Sequence, residues 1–262
     1  FDNKGADEDE FYAYSISSEL ISDVTSAGLI RVASLKRIEE LGDINIEEKA
    51  QKLDVRYITT GTLWKADSVF QLSMELYDTK TSKVLWSESW QKGWNELASI
   101  KGSLANNILK TLKVSTKQDI AKAPTSNTEA YKYYLEANYI YDKRKDVKDI
   151  EIARGLLQKA IELDDNLIIA KTSLGWTYFE TGDYDKAMEI YTLALEQSEE
   201  LVDRNGNAQL LNSLGNIYIN WGEYNKALTY KYRALENYRM AGNNNKIERT
   251  KIGLGIVYWS MG

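Results

Sequence analysis

The chain spells one phrase three times. Leu174-Gly175, Leu214-Gly215 and Leu254-Gly255 recur at a constant interval of 40 residues, and each is followed a helical turn later by a tyrosine, Tyr178, Tyr218 or Tyr258. That period lies in the range of helical solenoids, whose units bury an apolar face only by stacking on one another. In two copies the first helix gives way to a turn, "ETGDYDKA" or "NWGEYNKA", and then to a second helix carrying Ala187 and Ala194, or Ala227 and Ala234. Small residues at Gly175, Ala187 and Ala194 let two antiparallel helices approach closely. Leu174, Tyr178 and Tyr191 fill the space between them.

The order leucine, glycine, tyrosine, alanine, aromatic, alanine at Leu174, Gly175, Tyr178, Ala187, Tyr191 and Ala194 resembles the tetratricopeptide repeat family. The following copy departs from the family at Lys231, where an aromatic is usual, so its second helix is expected to pack differently. A 40-residue unit exceeds the family's usual length of about 34 and is similar to the longer-helix variety of kinesin light chains and bacterial regulatory proteins. An earlier, degenerate copy fits "EAYKYYLEANYIY", a loop "DKRKDVKD" and "IARGLLQKAIELDDN", with Leu135, Tyr139, Ala153, Leu157 and Ala160 in family positions and an insertion between the helices. The last copy holds only a first helix, through Gly262, and the natural protein is expected to continue beyond it.

Residues up to about Ser115 lack this period. "EFYAYSISSELISDVTSAG" puts Tyr12, Ile16, Leu20 and Val24 on one helical face, with Gly28 as a stop. "LIRVASL" reads as a short buried strand, and "NIEEKAQKLD" as a helix capped by Asn45 with Glu48 in the capping-box position. Three strand-like runs follow, "VRYITTGTLWKAD", "SVFQLSMELYDT" and "KVLWSESWQKG", joined by turns such as "KADS" and "DTKTSK". Phe70, Leu72, Met74 and Leu76 alternate with polar residues, which predicts an antiparallel meander with one dry face. Leu97, Ile100, Leu104, Ile108 and Leu112 of the next helix are placed to cover that face, and Trp64, Trp86 and Trp90 read as core or sheet-face residues.

These segments, with "FDN" at the start trailing from a first strand, resemble the TolB amino-terminal or FlgO-like domain of bacterial signalling proteins. That resemblance implies tetratricopeptide repeats directly behind it, with an adenylate cyclase, a serine/threonine kinase or a winged-helix regulator at the protein's other end. The expected fold is therefore an α+β domain over residues 1–115, a linker over 116–127 around Pro124, and an all-α tetratricopeptide solenoid over 128–262. Ser126 or Asn127 is placed to cap its first helix.

Composition narrows the chemistry. The absence of cysteine and histidine removes thiolate nucleophiles, disulfides, serine–histidine triads and the commonest metal ligands. A net charge of -6 argues against nucleic acid and anionic membranes as partners, and no apolar run reaches the roughly 20 residues of a membrane span. Asp7, Glu8, Asp9 and Glu10 read as carboxylates at the positive end of a helix dipole, "DRNGN" from Asp203 as an inter-repeat turn, and Lys143, Arg144, Lys145 and Lys148 as a solvated basic loop. No catalytic, cofactor or metal site is expected.

In the tetratricopeptide family the inner faces of the first helices line a concave groove. Carried over by register, its positions are Thr172, Trp176 and Phe179 in one repeat, Asn212, Asn216 and Asn220 in the next, and Arg249, Ile252, Ile256 and Trp259 in the last. The asparagines, spaced by four, form a ladder on one face, each with a donor and an acceptor suited to an extended peptide backbone. Trp176 and Trp259 would add apolar contact. The same residues also fit plain polar surface, with the tryptophans packed on neighbouring helices. The expectation is a cytoplasmic protein- or peptide-binding module of a signalling protein, with the sheet domain relaying its state or forming a homo-oligomer. The alternative is a periplasmic envelope scaffold without an output domain.

Overall fold

A computed structural model of the protein describes residues 1–6, 9–27, 30–66, 69–93, 96–114 and 123–262. Asp7, Glu8, Gly28, the tip of the "KADS" turn and residues 115–122 of the linker region lie outside the described residues. The chain divides into two compact units, one made chiefly of residues before 129 and the other of Glu129–Gly262.

The first unit opens with β1 (Asp2–Asn3), α1 (Glu10–Ser26), α2 (Leu35–Glu39) and α3 (Ile46–Leu53), followed by β2 (Tyr57–Ala66), β3 (Val69–Asp78), β4 (Lys83–Gly93) and α4 (Leu97–Thr111). The sheet runs β1-β2-β3-β4, with β1 parallel to β2 and the other pairs antiparallel. Alternation in β3 buries Phe70, Leu72, Met74 and Leu76 as the pattern predicts, and α4 lies on β4 with Asn107 Nδ2 donating to Glu88 at 2.9 Å. Leu97, Ile100, Leu104 and Ile108 are buried. Trp86 and Trp90 pair directly with Leu76 and Leu72 at the sheet edge, whereas Trp64 pairs with Gln71 on the opposite, wet face.

Two local readings change. Within "LIRVASL" the described residues 30–35 form no strand; Ser34 accepts a hydrogen bond from the Arg37 amide at 3.4 Å and starts α2 instead, while the Arg31 guanidinium ties the segment to the Leu53 and Asp54 carbonyls. A serine with an open helix start ahead of it diverts a short apolar run from strand to cap. Asp9 of the acidic cluster is buried and paired with Lys65 at 2.9 Å, so it serves the fold as an ion-pair partner. Arg56 grips Asp78 through two hydrogen bonds, of 3.0 and 2.7 Å, and holds that carboxyl well below the usual range.

The second unit is a run of helices: α5 (Thr128–Lys143), α6 (Val147–Leu163), α7 (Ile168–Glu180), α8 (Tyr184–Glu200), α9 (Arg204–Asn220), α10 (Tyr224–Ala241) and α11 (Asn244–Met261). Gly182 and Gly222, one repeat apart, take the left-handed conformation (φ 82° and 73°) that ends α7 and α9. Asp183 then caps α8 by accepting from the Lys186 amide, at 3.2 Å. "DRNGN" is not a turn: Asp203 accepts from the Gly206 amide at 3.0 Å and the following residues are already helical. The insertion in the first copy is likewise absorbed as helix. Lys143 closes α5, Asp146 caps α6 and Lys148 lies within it, leaving 144–146 as the connector.

Candidate functional site

The position that sets the packing of each hairpin is the aromatic of the second helix. Tyr191 of α8 is fully buried against α7, where a Cβ added at Gly175 would lie 2.4 Å from its ring. Its hydroxyl lies beside Ser213 of α9 without making a hydrogen bond of ordinary geometry, and burial pushes its ionisation far up. One repeat later Lys231 of α10 takes the same place. Its stem passes Gly215, where a Cβ would meet Cγ at 2.9 Å, and its ammonium reaches the seam between α9 and α11. There Nζ donates to Asn216 Oδ1 at 2.7 Å and to Asn212 Oδ1 at 3.2 Å, and faces Gly253.

Lys231 is 2% exposed. Burial lowers it to about 8, and it has no carboxylate partner among the described residues. Lys246, also lowered by burial and then by Arg249, and Arg249 itself are on α11 and likewise form no ion pair among the described residues.

Of the residues expected to line the groove, Asn212 and Asn216 are thus brought together, by a lysine that register analysis marked only as a departure from the family. Asn220 stands apart: its amide donates to the Asn216 carbonyl at 2.9 Å and its Oδ1 accepts from the Tyr184 hydroxyl at 3.2 Å. Thr172 is half-buried with its hydroxyl donating to the Ile168 carbonyl at 2.9 Å. Trp176, 38% exposed, stacks on Phe179 with centroids 5.3 Å apart. Trp176 also meets the Tyr141 hydroxyl of α5, which burial and a short hydrogen bond to Glu180 push up. On α11, Arg249, Ile252, Ile256 and Trp259 are exposed along one face, Trp259 at 84%. Two apolar strips therefore flank a polar one, at matching register on α7, α9 and α11. Among the described residues no group of three or more acidic side chains could hold a metal ion.

Residues 170–200 and 208–239, which take in nearly all of α7 to α10, match the tetratricopeptide repeat model. Among the described residues the fold is a small mixed four-stranded sheet followed by a series of helices consistent with a tetratricopeptide solenoid. Over 217 residues the chain is 23% identical to "Putative adenylate cyclase 3" of Rhizobium meliloti (strain 1021), covering 79% of this chain and 37% of that protein. The chain thus spans little more than a third of that relative's length. Solved structures similar to it include BtubC from P. vanneervenii, 20% identical with a TM-score of 0.44 over 64% of this chain and 70% of that one. Another is the TPR2AB-domain:pHSP90 complex of yeast Sti1, 24% identical with a TM-score of 0.40 over 49% of this chain and 48% of that one. No helix among the described residues is long and apolar enough to cross a membrane.

Proposed function

We propose that this chain is a non-catalytic protein- or peptide-binding module of a larger bacterial signalling protein. Its partner is recognised on the first helices of the repeats, and differential binding shifts the state of an attached output domain. In this reading residues 1–115 form a TolB amino-terminal or FlgO-like domain, 116–127 a linker and 128–262 the binding solenoid, in the cytoplasm. One observation carries it: the first helices of three successive repeats present Trp176 stacked on Phe179, then Asn212 and Asn216, then Ile256 at matching register, a mix of apolar and polar side chains of the kind that binding sites use. The relative named as an adenylate cyclase, of which this chain covers 37%, fits a repeat segment that serves an output domain elsewhere in the protein.

The test is affinity capture with the 262-residue chain beside a Trp259→Ala, Ile256→Ala variant of equal fold. A partner retained by the first and lost by the second supports recognition on these helices. The same partners on both would move the site to the sheet unit.

A further inference from the structure

The α8–α9 and α10–α11 junctions follow one plan and are filled differently. At the second, Tyr238 and Ile247 pack into the apolar core. Forty residues earlier the same positions hold Ser198 and Asn207. This smaller, polar pair lines a cavity of about 310 Å³ where the C-terminal parts of α8 and α10 meet the start of α9, a volume at the small end of ligand pockets. Asn207 is 7% exposed, a depth at which polar atoms are normally bonded. Its Nδ2 donates to Ser198 Oγ at 3.3 Å and to Glu199 Oε1 at 3.5 Å, whereas its Oδ1 accepts nothing among the described residues and opens on the cavity. One turn earlier on α9, Arg204 forms no ion pair among the described residues; its Nη1 lies 2.9 Å from Met240 Sδ, a weak acceptor. Glu199 is held by Asn207 and, at 3.4 Å, by Arg233, both contacts near the outer limit of a hydrogen bond. Val202 and Met240 form an exposed apolar rim.

The cavity therefore offers a guanidinium fork without an anion and, a turn away, an amide oxygen beside a loosely held carboxylate. Its lining carries two arginines and two carboxylates, Glu199 and Asp203, so a phosphate or a simple cation meets repulsion along with attraction, while a zwitterion finds a partner for each charge. Independently of the groove reading above, we propose that this cavity binds a free α-amino acid with an apolar side chain. The ligand's carboxylate takes the Arg204 fork, its ammonium donates to Asn207 Oδ1 and to Glu199, and its side chain lies on Val202 and Met240. An α-amino acid carries its two charges one carbon apart, and the three-residue spacing of Arg204 and Asn207 on one helix face suits that short span.

The experiment follows the backbone amides of the 262-residue chain by NMR while L-leucine, leucinamide or N-acetyl-leucine is added. Leucine is expected to bind with a dissociation constant of about 0.1 to 1 mM, with its largest shifts in 198–207 and 233–240. Leucinamide, which lacks the carboxylate, and N-acetyl-leucine, which lacks the ammonium, should each bind about tenfold more weakly. Arg204→Gln should weaken leucine about tenfold and leave leucinamide unchanged; Glu199→Gln should weaken leucine and leave N-acetyl-leucine unchanged. Ser198→Tyr combined with Asn207→Ile copies the filled junction and should abolish binding. The two surface substitutions decide the matter if that pair fails to fold. No leucine binding at about 20 mM, shifts confined to other parts of the chain, equal binding of leucine and leucinamide, tighter binding of glutamate or lysine than of leucine, or an affinity unchanged in Arg204→Gln would each overturn the proposal.

Discussion

The α7–α8 and α9–α10 hairpins share a backbone plan and differ at the residue that locks them. In the first, a glycine accepts the flat face of Tyr191; in the second, the matching glycine accepts the stem of Lys231, and the buried tip is a charge met by two amides. A solenoid needs volume at this position and close approach at the glycine, and a long aliphatic stem supplies both. What it does not need is the ammonium, so the difference separates what the fold demands from what the surface gains.

The largest effect should come from exchanging the two residues. Tyr191→Lys places a cation opposite Thr172 and Trp176, which lack the asparagine oxygens, and should destabilise the chain by about 4 kcal/mol or more in urea unfolding. Lys231→Tyr should be neutral or stabilising at pH 7. Equal losses from both would break the comparison.

The second test is pH. The unfolded chain holds the Lys231 proton near its ordinary 10.5, whereas the folded one releases it near 8. Between those values the unfolded state binds more protons, so stability contributed at this site rises with pH across the window, by roughly 3 kcal/mol in all. Wild type should therefore be the less stable of wild type and Lys231→Met at pH 7, with the gap closing as pH climbs from about 8 towards 10.5. Subtracting the variant's unfolding curve cancels the tyrosines that ionise in the same range.

A smaller contrast lies at the glycines. Gly175→Ala would drive a methyl group against a rigid ring and should cost about 2 to 3 kcal/mol, while Gly215→Ala meets a flexible stem and should cost about 1 kcal/mol. Smallest is the end of each second helix, where Val202 adopts φ 56° and Gly242, one repeat on, adopts 72°. A β-branched residue is strained there, so Val202→Gly should raise stability by about 1 kcal/mol, read as a shift in thermal midpoint.

The helices were legible because the Leu-Gly interval and the flanking alanines are dictated by packing every repeat shares. The meander was legible from the alternation in Phe70–Leu76. Errors fell where one polar side chain decides the local path. Ser34 starts a helix out of an apolar run, and Asp203 turns a loop-like string into the first turn of α9. At the candidate site, spacing put three asparagines on one face but said nothing of which atoms they present. That depends on one lysine, 15 positions after Asn216 and 19 after Asn212, and on Tyr184 for Asn220. The signal was present as a lysine at an aromatic position, yet its reach becomes visible only when the hairpin is closed.

Each second-helix residue extends past its own unit to meet the next: Tyr191 ends beside Ser213, and Lys231 ends at Gly253, the residue in Ser213's register. The units are therefore not interchangeable beads. An array built by copying the Lys231 unit alone would bring each ammonium up to a serine where this chain has Gly253, and copying the α7–α10 pair would do the same at every second junction, because Ser173 holds that register. The order of the repeats is a chemical sequence of its own, readable only in one direction along the chain.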